Sequence, residues 1–216
     1  MSRLADCYRL LKRRLYVSGQ TERAIVDDFH RLYHQDGRIE GSWGVTWRGR
    51  PVAQNPMDLL AIAGLIQQAP WRPVVEVGTG QGGSALFWVD CGAIHVWIID
   101  VVAPTIPFTD SRVTFLHGDS LEKIPNVWDA IVVLDGDHHA EQVRKELDAY
   151  ASLILRSGYL IVCDTHFNGH PIAPEFGPGP WEAVEDWLPT HPEFVRDRSV
   201  EPMGTWNPGG YLKRIT

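Results

Sequence analysis

From position 74 onward the chain alternates two kinds of pattern. Short apolar runs near 74–78, 95–100, 113–116, 130–135 and 159–164 each end close to a glycine or an acid, and helical spacing fills stretches between them, most clearly at 84–89 and 140–155. Apolar runs of this length fit buried strands, and their alternation with helices predicts a parallel sheet joined by crossovers. In such a sheet the ligand crevice lies beyond the carboxyl ends of the strands. Two further runs, 194–198 and 211–215, follow a helix that carries Trp181 and Trp187. They are close enough in sequence to pair antiparallel at the sheet edge. Upstream, helical periodicity covers 4–16, 21–34 and 58–69, the last stopped by Pro70. The first two offer a lid or the contact surface of a homo-oligomer. Between them and the sheet, 36–55 is rich in Gly, Trp and Arg and places Trp43 and Trp47 in a loop, as a surface plug or as part of a binding loop. The expected division is an N-terminal helical or lid segment at 1–55 and a sheet domain at 56–216, together one structural domain.

Composition narrows the partners. At 216 residues, 44% hydrophobic and 22% charged, the chain has ordinary globular proportions and room for one α/β core. Lys plus Arg of 20 against Asp plus Glu of 27 gives a net charge of -7, which repels phosphate backbones and anionic membranes. Small molecules are the expected partners, and neither nucleic acid nor a membrane is. Cys7, Cys91 and Cys163 share no CxxC spacing, so a reducing cytoplasm is the expected location. No uncharged apolar run approaches the roughly 18 to 20 residues needed to span a bilayer.

The chemistry concentrates at the strand ends. After Val77, the residues Gly78, Gly80, Gly82 and Gly83 interrupt the first run immediately before a helical stretch. Such a turn removes every Cβ from the path of a nucleotide cofactor. Its spacing departs from the strict GxGxxG fingerprint, so nicotinamide, flavin and methyl-donor sites all remain open. Asp100 ends the second strand about twenty residues later, where a carboxylate can accept from ribose hydroxyls. Glu76 lies within the first strand, either as a structural carboxylate or facing the ammonium end of a cofactor. Asp119 and Ser120 end the third strand, as helix caps or as readers of an adenine edge. Asp135, Gly136, Asp137, His138 and His139 follow the fourth strand, and Asp164 follows the fifth. Neighbouring strand ends bring Asp135 and Asp164 within reach of one hard cation such as magnesium. His138 is then placed to take a proton from a substrate hydroxyl. His139, His166 and His170 read as loop surface.

Taken together, these stretches resemble the cephalosporin hydroxylase-like and macrolide-sugar (rhamnosyl) O-methyltransferase family of S-adenosylmethionine enzymes. The matching pieces are Trp43 and Gly44 with Pro56 and Asp58, the stretch from Glu76 to Ser84, Gly118 to Ser120, Leu134 to His138, Cys163 to Thr165, Gly177 to Pro180 and Gly209 to Arg214. The resemblance implies a Rossmann-like class I methyltransferase fold, with a mostly parallel seven-stranded α/β sheet, a terminal antiparallel hairpin and N-terminal helices. It implies that Asp135 and Asp164 ligate magnesium or another divalent cation and that His138 is the general base. Glu76, Gly78, Gly80, Ser84, Asp100, Asp119, Ser120 and Asp135 would line the S-adenosyl-L-methionine site. The implied reaction is metal-assisted methylation of a hydroxyl on a small sugar- or polyol-like secondary metabolite. The family commonly places Glu immediately before the later strand-end acid, where this sequence has Cys163, a soft and poor ligand for magnesium. Two alternatives stand beside this reading. One is a nicotinamide-dependent oxidoreductase using the same turn, and the other is a non-catalytic donor-binding partner subunit of a two-protein hydroxylase or methyltransferase complex.

Overall fold

A computed structural model describes residues 22–35 and 45–216. The helix expected over 4–16, Cys7 and Trp43 lie outside the described residues. The first described helix is α1 (Glu22–Gln35), close to the expected 21–34. A two-stranded antiparallel hairpin, β1 (Thr46–Trp47) and β2 (Arg50–Pro51), stands where the sequence suggested a loop. It is fastened down on both sides. Trp47 Nε1 donates to Asp90 at 2.8 Å, Arg48 pairs with Asp90 and Asp110, and Arg50 donates to the carbonyls of Gln81 and Pro107 at 2.9 Å. Helix α2 (Pro56–Gln68) starts two residues before the expected Asp58. The Asn55 side chain caps the amide of Met57, and Pro56 occupies a first-turn position whose missing N–H is not needed.

The main sheet contains β3 (Val74–Val77), β4 (Val96–Asp100), β5 (Val113–His117), β6 (Ile131–Leu134), β7 (Tyr159–Val162), β8 (Phe194–Arg196) and β9 (Tyr211–Arg214). Helices α3 (Gly83–Cys91), α4 (Ala140–Ala151) and α5 (Pro180–Trp187) connect them. The strand order is β5-β4-β3-β6-β7-β9-β8, with β5 through β7 parallel and β9 antiparallel to both its neighbours. This is the arrangement the resemblance implied. The expected 194–198 and 211–215 pair does form, and β9 also inserts beside β7, so it joins the hairpin to the sheet.

β3, β6 and β7 are buried at every position, which explains their unbroken apolar runs. Alternate residues feed two separate cores. Val75, Val77, Val132 and Leu134 pack towards α4 and α5, whereas Val74, Ile98, Val133 and Ile161 pack towards α2 and α3. Alternation along β3 therefore sends the Glu76 carboxylate into the α2–α3 layer. Among the described residues no helix is long and apolar enough to cross a membrane.

The strand order changes direction between β3 and β6, because β3 leads outward through β4 to β5 while β6 leads the other way to β7. That reversal opens a crevice at the carboxyl ends of these strands. Its two walls approach so closely that a Cβ on Gly78 (φ +76°) would lie 2.1 Å from the Asp135 carbonyl oxygen. Only glycine satisfies both the backbone angle and the clearance there. Gly83 makes a comparable approach on the other side, where a Cβ would meet the Pro51 carbonyl at 2.3 Å. The hairpin thereby reaches the start of α3, and the chain beyond it carries Gln54 to the crevice.

Candidate active site

The crevice is a groove of about 800 Å³ lined along the tips of β3 to β7. Its centre is the turn after β3. Asp100 organises that turn: Oδ2 accepts from the amides of Thr79 at 3.0 Å and Gly80 at 3.2 Å, and Oδ1 accepts from Val102 at 2.8 Å. The expected ribose-facing acid therefore borders the groove while already holding the loop in shape. Gly78, Gly80 and Ser84 border it too.

Glu76 does not line the groove directly. It is fully buried beneath the turn, accepting from Trp88 Nε1 at 2.9 Å and from Thr79 Oγ1 at 3.0 Å, with Ser84 as a further partner. Burial pushes its carboxyl up to about 7, although the donated hydrogen bonds pull the other way. Its place is structural: it ties α3 and the turn to β3. Asp119 and Ser120 border the groove at the β5 end. The Asp119 carboxylate caps the Leu121 amide at 2.8 Å, and the Ser120 hydroxyl is spent on Glu146 at 2.6 Å.

At the other end, the tips of β6 and β7 bring together the three residues expected to carry the reaction. Asp135, His138 and Asp164 each offer one ligand atom, all within 4.8 Å of one another. His138 Nε2 lies 3.3 Å from Asp164 Oδ2. Asp164 takes a left-handed backbone angle (φ +54°), which Asp tolerates better than most residues, and its amide donates to Asn207 Oδ1 at 2.9 Å. Burial raises both carboxyls above the usual range. The Asp164 charge adds to the rise at Asp135, and the Asp58 charge adds at Asp164. Two acids facing each other in this way gain from a shared cation, and oxygen donors suit a hard divalent one. The donor set thus fits such an ion.

Three features were not readable beforehand. Gln54, from the loop before α2, donates to Asp135 Oδ2 at 2.9 Å and orients it. His166, expected on the loop surface, is fully buried instead. It stacks between Phe167 and Trp206, with Nδ1 3.6 Å from Asp164 Oδ1, and α1 covers it through His30 at a ring separation of 5.4 Å. His139 does remain outside, on Asp137. Cys163 is turned into the α2–α3 core, because it follows Val162 by one residue and the sides alternate. Burial, followed by the charges of Asp135 and Asp164, pushes the thiol well above its ordinary value. It stays a neutral core side chain, and the acid cluster assembles without it.

Comparisons with known proteins bear on the family and the fold. The family model described as rhamnosyl O-methyltransferase/CmcI matches residues 41–215. The rhamnosyl O-methyltransferase of Mycobacterium leprae is 28% identical over 190 residues, covering 78% of this chain and 81% of its own. That of Mycobacterium tuberculosis is 26% identical over 212 residues, covering 88% and 85%. A solved structure of CmcI with Mg and SAM superposes with a TM-score of 0.62 at 20% identity, covering 80% of this chain and 77% of that one, which establishes the shared fold. With its sheet order, its groove and a match over most of its length, the chain belongs to the rhamnosyl O-methyltransferase/CmcI family of S-adenosylmethionine-dependent O-methyltransferases.

Proposed function

We propose that this protein methylates a hydroxyl of a small sugar- or polyol-bearing metabolite, using S-adenosylmethionine as donor and a divalent cation held by Asp135 and Asp164. The observation that carries the reading is the convergence of Asp135, His138 and Asp164 at one end of a groove whose centre is a glycine turn organised by Asp100. The mycobacterial relatives, named for a rhamnosyl acceptor, support the sugar-like class. When bound, the sulfonium donor would supply an electrophilic methyl group, and a magnesium-like ion would lower the pKa of an acceptor hydroxyl and orient its oxygen.

The chain's own residues do the rest. Asp100 fixes the turn before any ligand arrives, so no loop reorganisation is needed at the moment of transfer. Gln54 holds one oxygen of Asp135, which sets the direction of its remaining lone pairs. His138 Nε2 takes the hydroxyl proton as the acceptor oxygen bonds to the methyl carbon. The bound donor would keep the carbon–sulfur bonding pair on sulfur and leave as a neutral thioether. Phe167, edge-on to the His138 ring at 5.4 Å, helps keep that ring in place.

Calorimetry with S-adenosylmethionine and with NAD tests the donor. Micromolar binding of the first and none of the second is expected, and the reverse would replace the methyl-transfer reading with the oxidoreductase one. Radiolabelled methyl transfer to rhamnosyl glycosides, with magnesium and after chelation, tests the rest. Transfer that survives complete chelation would remove the cation from the proposal.

A further inference from the structure

We propose that Glu146 reads the adenine base of the methyl donor, accepting its exocyclic amino group on a carboxylate oxygen that the protein itself leaves unpartnered. The inference rests on the donor assignment above and adds a specificity determinant to it. Glu146 lies on α4, is only 2% exposed and borders the groove. Its Oε1 is fully used, accepting from Ser120 Oγ at 2.6 Å and Gln142 Nε2 at 3.1 Å. Its Oε2 is buried and has no hydrogen-bond partner among the described residues.

The surroundings form a built site. Gln142 Nε2 also donates to Ser120 Oγ at 3.1 Å, so the serine proton is committed to Glu146. Tyr150 donates to the Ser120 carbonyl at 2.7 Å and locks the β5 loop against α4. One acceptor is left over in an otherwise closed network, and a buried acceptor without a donor is destabilising. Burial pushes the Glu146 carboxyl upward while the Ser120 and Gln142 bonds pull it back. What completes the site is an N–H donor arriving from the groove.

Sheet order says which part of the donor arrives there. With the sulfonium at the tips of β6 and β7 and the ribose beside Asp100 on β4, the base is carried towards β5, where Ser120 and Glu146 meet. The exocyclic amine is the N–H donor on an adenine ring. Hypoxanthine carries a carbonyl in its place, and two acceptors repel.

The test is calorimetric: S-adenosylhomocysteine and S-inosylhomocysteine are titrated into the wild-type protein and into Glu146→Gln. The wild type is expected to favour the adenine compound by about tenfold or more, the scale set by one buried hydrogen bond with a charged partner. Glu146→Gln, whose amide can donate to a carbonyl, is expected to bring the ratio near one or reverse it. A wild-type ratio within twofold, or an unchanged ratio in the variant, overturns the inference while leaving the donor assignment intact. Failure of both compounds to bind the wild type overturns both. If Glu146→Gln shows no melting transition, Glu146→Asp, which withdraws the oxygen by one methylene, is read by the same ratio and the same criteria.

Discussion

Two neighbouring regions of the site use acids in opposite ways. Around the glycine turn, the donor end under the proposed function, Glu76 and Asp100 are saturated by the protein: Trp88, Thr79 and three backbone amides donate to them. At the reacting end, Asp135 receives one donated bond, from Gln54, and Asp164 meets the rings of His138 and His166. Satisfied carboxylates fix shape. Underused carboxylates, crowded together, retain charge and lone pairs for something that is not protein. The contrast separates scaffold from chemistry more sharply than residue type does, since all four are acids at or near strand ends.

That contrast predicts unequal consequences of mutation. Asp135→Ala or Asp164→Ala should lower methyl transfer by on the order of 10³-fold, because several kcal/mol of charge stabilisation goes with the cation. Donor affinity should change by less than about tenfold, and equal losses of transfer and donor binding in calorimetry would erase the distinction between the ends. His138→Ala should cost roughly 10²- to 10³-fold in transfer rate with the fold unchanged, the usual contribution of a positioned base. A variant of unimpaired rate in single-turnover assays would return His138 to the role of a loop residue.

At the donor end the losses should appear in stability instead. Gly78→Ala drives a methyl group against the Asp135 carbonyl at a positive φ and should lower unfolding free energy by about 2–4 kcal/mol, measured by urea titration. The smallest effect concerns pH. Glu76 is raised from 4.5 to about 7 on folding, so the folded state binds a proton that the unfolded state has released in that window. Its contribution is complete below about pH 4.5 and is lost as pH rises through about 7. Glu76→Gln should therefore flatten the fall in melting temperature between pH 5 and 8 by about a few degrees. An identical slope in the two proteins would show that Glu76 is not the titrating group.

Much of this was legible in the chain. The strands of a doubly wound sheet are buried on both faces, so 74–78, 130–135 and 159–164 stood out, and their terminal acids fell where sheet topology puts a crevice. Partners that arrive from outside the local pattern were not legible. Gln54 precedes a helix cap and reads as loop, yet it reaches an acid 81 positions away. His166 follows the strand end that supplies Asp164 and lacks any apolar run to mark it as buried; Trp206 and α1 cover it from distant parts of the chain. Glu146 belongs to a helix whose Glu141–Lys145 pair suggests an exposed face, and its inward side is defined by Ser120, 26 positions earlier. The significance of Cys163 also changed, because strand alternation, not residue chemistry, decides which way it points.

The reversed strand β9 has a consequence for biogenesis. Asn207, just before it, supports the amide of Asp164, and Asp58 at the opening of α2 accepts from Thr205, from the Trp206 amide at 2.8 Å and from the Tyr211 hydroxyl at 2.7 Å. The geometry of Asp164 therefore depends on residues that leave the ribosome after β7, so the support of this acid is completed only by the last stretch of the chain to be synthesised.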